Sequence, residues 1–394
     1  MEDKLLAEIR QKNIDLLSLD DLKILKDKLI NSIKLDDILQ GILKLSLNSL
    51  YGCLTSKASP IGNDDIGNSI TLTGQGAIKD VNEYVKNYIQ EVYCPDLTEK
   101  EKEELIQFND TDSCGITLKA LHKRGIDICK DGEVTKRGYE IISDISNKVN
   151  KRVTEWAKQE LNTNHCTLDM KREKICDFGL YRKKKNYILH VIDDEGKVDE
   201  KTGKLKTKWH YAGVELAKAI MPKYLKEMGK RIIEPMILEQ DKHKTDQKMQ
   251  EVYEEFKTLP LTKSCRLARI KTFNKYVSQC NMFNVAKGMQ EHIRAAYYHN
   301  LVLKLEGIQG YREIMQGDDC QIMMVKPNNK YRIDCIAFRN GELPKEFLEI
   351  FEPDYKNIFK KPLQACIISL YDIAGWKCKD VTDEYDGNLF DLFE

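Results

Sequence analysis

Apolar positions recur at helical spacing along the first fifty residues. The run "SLDDLKILKDKL" supplies a helix start, with Ser18 as N-cap, acids in the first turn and leucines three and four apart. This predicts a helical arm over 1–51. Its end, "KLSLNSLYG" at 44–52, puts Lys44, Asn48 and Tyr51 on one stripe, with Gly52 placed to end the helix. Leu45, Leu47 and Leu50 point elsewhere and are expected to fill a core. "SPIGNDDIGN" at 59–68 is turn chemistry; beyond it Ile78, Val81, Val85, Ile89 and Val92 share one helix face, which Pro95 terminates.

The period then changes. Two short apolar runs in "EELIQFNDTDSCGITLKA", residues 103–120, flank a polar turn and predict a hairpin with Asp110 and Thr111 near its tip. A long helix follows, with Ile142, Ile145, Val149, Val153 and Trp156 on one face. "YILHVIDDEGKV" alternates and turns at Asp194–Gly196, so 181–211 reads as more sheet. Past residue 214 the pattern is mainly helical, with a strand-rich insertion around 317–338. That order of elements predicts an α+β fold, helices packed on antiparallel sheet. No internal repeat or low-complexity segment interrupts it.

Composition narrows the class. A chain of 394 residues with 41% hydrophobic content has room for two or three domains and a substantial core. No run approaches the ~18 apolar residues of a membrane span, and no signal peptide is expected. The 12 cysteines are scattered without a C-x-x-C pair, which argues for reduced thiols in a cytoplasm and against a cysteine-ligated metal. Cys53 and Cys114 read as packing residues rather than nucleophiles. Net charge is zero, 63 basic against 63 acidic residues, so a nucleic-acid partner has to be argued from distribution. Basic runs stand at "YRKKKNY", 181–187, and "KSCRLARIKTFNKY", 263–276; in isolation such runs are usually solvated faces.

The chemistry centres on "NDTDS". Asp110 and Asp112 are separated by one residue, and in an extended segment such a pair points to one side, where both carboxylates can face a divalent cation. D-x-D alone is weak, since solvated turns contain it and metal-dependent sugar transferases use the same spacing.

In order, "KLSLNSLYG" at 44–52, "NDTDS" at 109–113 and "KKKNY" at 183–187 resemble the motifs of family B DNA polymerases. "YAGVELAKAIMPKYL" at 211–225 and "CIAFRNGELPKE" at 335–346 resemble the palm-to-thumb junction and distal thumb of T4-like bacteriophage members. The resemblance covers nearly all of this chain but only the C-terminal part of such an enzyme. It implies the C-terminal part of the fingers over 1–56, palm over 57–213 and thumb over 214–388. At 389–394 it implies a clamp-binding tail, "LFDLFE", with Leu389, Phe390, Leu392 and Phe393 as docking residues.

By the same resemblance, Lys44 would reach the triphosphate of an incoming deoxynucleoside triphosphate, with Asn48 on the same face, Tyr51 at the nascent base pair and Gly52 letting the chain leave beside the template. Asp112 would be the shared metal ligand and Asp110 its assistant, holding two magnesium ions. Glu173, in "LDMKREKI", lines up with an acidic residue that relatives keep near this site. Thr111, Lys184, Lys185 and Tyr187 would contact primer-template DNA through its phosphates; adjacent strand residues would send one lysine to the duplex and the other to the palm.

Several features depart from the family. Asn109 stands where relatives usually have glycine, and its tolerance of unusual backbone angles is expected to preserve the hairpin. Asn186 replaces an arginine, which removes a charge, and Lys171 replaces an aspartate. The palm motif D-x-x-S-L-Y-P, the first fingers helix and an exonuclease domain are absent from the sequence. The expectation is therefore a split polymerase in the cytoplasm of an infected bacterial host, with an N-terminal polymerase subunit supplying those parts and a sliding clamp engaging the tail. Alone the chain is expected to extend no primer and to be poorly soluble. The rival expectations are an inactive fragment that tethers DNA or clamp, and a sugar transferase built on D-x-D.

Overall fold

The computed structural model describes residues 18–110, 113–199, 202–378 and 380. Thr111, Asp112 and the 389–394 tail, like the first 17 residues of the expected arm, lie outside the described residues. The fold is α+β, its sheets small and antiparallel. The chain divides into two compact units, the first taking Met1–Pro95, Asn109–Gly115 and Val149–Asp169, the second Asp96–Phe108, Ile116–Lys148 and Met170–Glu394.

In the first unit, helix α1 (Leu19–Leu54) begins directly after Ser18, whose carbonyl accepts from the Leu22 N–H at 3.0 Å. Helix α2 (Asp64–Val92) is capped by Asn63, whose side chain accepts from the Asp65 and Ile66 N–H groups. The two meet where α1 ends: the Tyr51 hydroxyl lies 2.9 Å from Thr71 Oγ1, and a Cβ on Gly67 would come within 2.5 Å of Thr55 Cγ2. Ala77, Ile78, Val81, Val85 and Ile89 bury the predicted α2 face, but Val92, in the last turn, runs past the packed surface and is 52% exposed. The leucines of α1 differ more from expectation. Leu45, Leu47 and Leu50 are 69%, 65% and 50% exposed, because α1 extends as a single helix and no core among the described residues reaches them.

Strands β1 (Ile106–Asn109) and β2 (Cys114–Ile116) form the predicted hairpin. Helix α3 (Lys136–Glu160) follows; its buried stripe is Ile141, Ile145, Val149, Val153, Trp156 and Ala157, with Ile142 only half-buried beside it. In the first unit its later turns pack on α2: Gly76 faces the Trp156 ring, and Arg152 grips Asp80 through two bonds of 2.7 and 2.5 Å.

Two three-stranded sheets organise the second unit. Strands β3 (Lys174–Lys183), β4 (Asn186–Asp194) and β5 (Lys208–Ala212) make an antiparallel sheet in that order. Ile188, Leu180, Phe178, Trp209 and Tyr211 join the hydrophobic cluster that includes Leu225, Met228, Ile232 and Ile233 of helix α4 (Lys223–Glu239). Helix α5 (Lys242–Lys257) adds Met249, Val252 and Phe256. Strand β6 (Arg266–Arg269) lies beside β7 (Asp319–Met324), which pairs in turn with β8 (Cys335–Arg339). The insertion around 317–338 is thus sheet as expected, but one of its three strands comes from the basic run at 263–276, where charge masked a short Leu267–Ala268 apolar pair. Helix α6 (Glu291–Leu305) covers this sheet, His299 Nδ1 lying 2.8 Å from the Ala337 carbonyl. Among the described residues no helix is long and apolar enough to cross a membrane.

Candidate functional site

Three segments carry the site residues. On α1, Lys44, Asn48 and Tyr51 fall on one stripe as the spacing required. Lys44 has no acidic partner within 4 Å among the described residues, so its ammonium is available to a ligand. Tyr51 is oriented by its bond to Thr71. At 100° per residue the stripe Leu35, Ile38, Leu39 and Ile42 lies roughly opposite Lys44, and all four are exposed by 40–59%. Gly52 does not end the helix: α1 continues to Leu54, and nothing lies within 4 Å of a Cβ built at Gly52. The stop comes from the turns that follow, where a Cβ on Gly62 would meet the Ser56 carbonyl at 2.3 Å.

The hairpin holds the acidic pair. Its turn is closed by the Asp110 N–H donating to the Ser113 carbonyl at 2.8 Å, and Asp112, with Thr111, falls in the part outside the described residues. Asn109 does not use the conformational tolerance expected of it, for it has an ordinary strand backbone rather than a positive φ. Its side chain is what matters: Oδ1 accepts from Asn82 Nδ2 of α2 at 3.0 Å.

The basic motif is a turn rather than a strand. Lys183 pairs with Asn186 across the sheet, leaving Lys184 and Lys185 as the two-residue connection between β3 and β4, with Lys185 left-handed at φ 59°. The expected division of the two lysines between opposite strand faces therefore does not arise. Asn186, where relatives carry arginine, is 5% exposed and donates from Nδ2 to the Gly213 carbonyl at 3.0 Å, a structural bond that ties the turn to the end of β5. Gly213 has φ +63°, and a Cβ there would lie 2.0 Å from the Lys185 carbonyl, so only glycine fits.

Tyr187 sits in an aromatic cluster that sequence reasoning missed. Its ring stacks on Phe108 at 5.0 Å and lies 5.8 Å from Tyr181 and 5.9 Å from His210. Burial pushes the Tyr181 hydroxyl up to about 12. Burial, then the charges of Lys174 and Lys208, push His210 down. The available signal was the alternation placing 181 and 187 on one face, but it does not show that Phe108 joins them.

Glu173 stands just before β3, with its carboxylate 3.6 Å from Lys174 Nζ and 67% exposed. Its neighbour Arg172 lies 3.1 Å from Asp193, which also accepts from Tyr139 and from the Gly196 N–H. Burial alone would raise the Asp193 carboxyl; the Gly196, Arg172 and Tyr139 bonds outweigh it and hold the group below the usual carboxylate range. Among the described residues no group of three or more His, Cys, Asp or Glu side chains could hold a metal ion. The described carboxylates of this chain do not by themselves form a metal cage.

Each segment offers its own chemistry: α1 a cation and an aromatic ring, the hairpin its acidic pair, and the β3–β4 connection a basic turn on an aromatic sheet. The profile of DNA polymerase family B matches residues 21–279, well over half of the chain and all three segments, and the chain belongs to that family. Membership implies DNA-directed DNA polymerase activity, with primer-template DNA and deoxynucleoside triphosphates as ligands and Mg2+ as the general cofactor of the family. A search of curated proteins returned no match.

Proposed function

We propose that this chain is the C-terminal subunit of a split DNA polymerase of the T4-like bacteriophage type, working in the cytoplasm of an infected bacterium. Residues 1–56 are its share of the fingers, 57–213 the palm, 214–388 the thumb and 389–394 a tail for a sliding clamp. The observation that carries this reading is the occurrence, in order and within one family match, of the α1 stripe, the acidic hairpin and the β3–β4 turn.

In this reading Lys44 binds the triphosphate as a point charge, Asn48 shares its face, and Tyr51 packs at the nascent pair with its ring oriented through Thr71. Lys184 and Lys185 track duplex phosphates from a turn held by Asn186 and Gly213, which fixes register without reading sequence. Asp110, Asp112 and Glu173 are the carboxylates offered to two magnesium ions shared with the partner, which on this reading contributes the palm aspartate not found in this sequence. The exposed stripe of Leu35, Ile38, Leu39 and Ile42, turned away from Lys44, supports a partner chain against α1.

The test is extension of a labelled primer-template by this chain, by a candidate N-terminal chain and by both, with Asp112→Ala as control. Activity in the mixture alone, abolished by Asp112→Ala, supports the split enzyme. Extension by the purified single chain refutes partner dependence. A complex that forms and extends nothing leaves an inactive DNA- or clamp-binding fragment.

A further inference from the structure

The face of α2 that buries Ile78, Val81, Val85 and Ile89 is interrupted by an amide, Asn82, which is only 9% exposed. A buried amide is retained at a cost unless it is hydrogen-bonded, and Asn82 spends its Nδ2 donor on one acceptor, the side-chain oxygen of Asn109 at 3.0 Å. Asn109 is the last residue of β1 and immediately precedes Asp110. The strands of this hairpin have four and three residues, too short to be stable as an isolated pair. A side-chain bond at the final strand residue is therefore well placed to set where the turn begins.

We infer that Asn82 is a positioning residue for the acidic hairpin: its amide fixes Asn109, and through Asn109 the backbone that presents Asp110. This rests on the polymerase reading only for the consequence to catalysis. The bond itself is a property of α2 and the hairpin tip. Asn82 touches no reacting group. It holds the end of β1, from which the Asp110 N–H reaches the Ser113 carbonyl, and the asparagine at 109 is the matching half of the device.

The test is a cycle of Asn82→Leu, Asn109→Gly and the double variant, made in the full chain and, for kinetics, in its complete polymerase assembly. Hydrogen exchange of the Asp110 amide, which donates to Ser113, reads the lock without any need for activity. Each single variant is expected to speed that exchange by roughly 3- to 10-fold, with the double variant no worse than the more affected single. Exchange in the later turns of α3, which pack on α2 in the same unit, serves as the fold control and should not change. Single effects that multiply in the double variant, or no effect at Asp110, overturn the inference. In primer extension the variants should lose about 5-fold or more in kcat while the KM for deoxynucleotide stays put. A raised KM with unchanged kcat refutes positioning. If the unaltered assembly extends no primer, the polymerase reading fails and the exchange cycle still decides whether Asn82 holds the hairpin.

Discussion

Gly213 and Gly196 provide a matched pair of substitutions on one sheet. Both have positive φ, +63° and +73°, so alanine at either position pays for a left-handed backbone, about 1–2 kcal/mol. Around Gly196 nothing lies within 4 Å of the added Cβ, and the cost should stop there. At Gly213 the Cβ would lie 2.0 Å from the Lys185 carbonyl, a backbone atom in a turn that is itself left-handed. Relief requires moving the turn, which breaks the Asn186 to Gly213 bond and leaves a buried amide unsatisfied, about 1–3 kcal/mol more. Gly213→Ala should therefore destabilise the protein by about 2–5 kcal/mol and Gly196→Ala by about 1–2 kcal/mol. Urea unfolding of both variants beside the parent measures the difference. Equal losses, within about 0.5 kcal/mol, would refute the claim that the glycine at 213 is kept by close approach rather than by φ alone. Gly213→Ala should also weaken primer-template binding, because the displaced turn carries Lys184 and Lys185.

Lys44→Ala, at an exposed position with no ion pair among the described residues, should leave the melting temperature unchanged and raise the KM for deoxynucleotide by about 10-fold or more; a stability loss would place Lys44 in the fold instead. Lys184→Ala should reduce the slope of log K against log salt for primer-template binding by about one, uniformly across sequences, as a competition assay at several salt concentrations would show. Ile42→Asp, on the stripe opposite Lys44, should abolish association with the proposed N-terminal chain in analytical ultracentrifugation without altering the unfolding of this chain, because Ile42 is 55% exposed. The folded-state pKa of Asp193 is depressed, so its contribution to stability is present above the unfolded carboxylate value and is lost as pH falls through the folded one; Asp193→Asn should flatten that acid limb in melting curves taken from pH 6 downward.

Much of this protein was decided locally. The α1 stripe, the α2 face, the acidic hairpin and the turn at Asp194–Gly196 follow from apolar period and turn chemistry, because each depends on residues a few positions apart. Three motifs in order were enough to place the chain in its family. Other features were set by partners distant in sequence. Asn109 gave the impression of a tolerated stand-in for glycine, and its use became legible only when Asn82 was found 3.0 Å away. Asn186 looked like a lost positive charge, whereas it is a buried bond to Gly213, 27 residues on. Phe108 meets Tyr187 through sheet packing that no local period encodes. The α1 leucines are the converse case, since pattern showed that they need apolar cover and only the tertiary structure showed that the described residues leave them open. Periodicity fixes which face of an element is apolar; what that face meets is settled by long-range packing, where the buried polar bonds are also made.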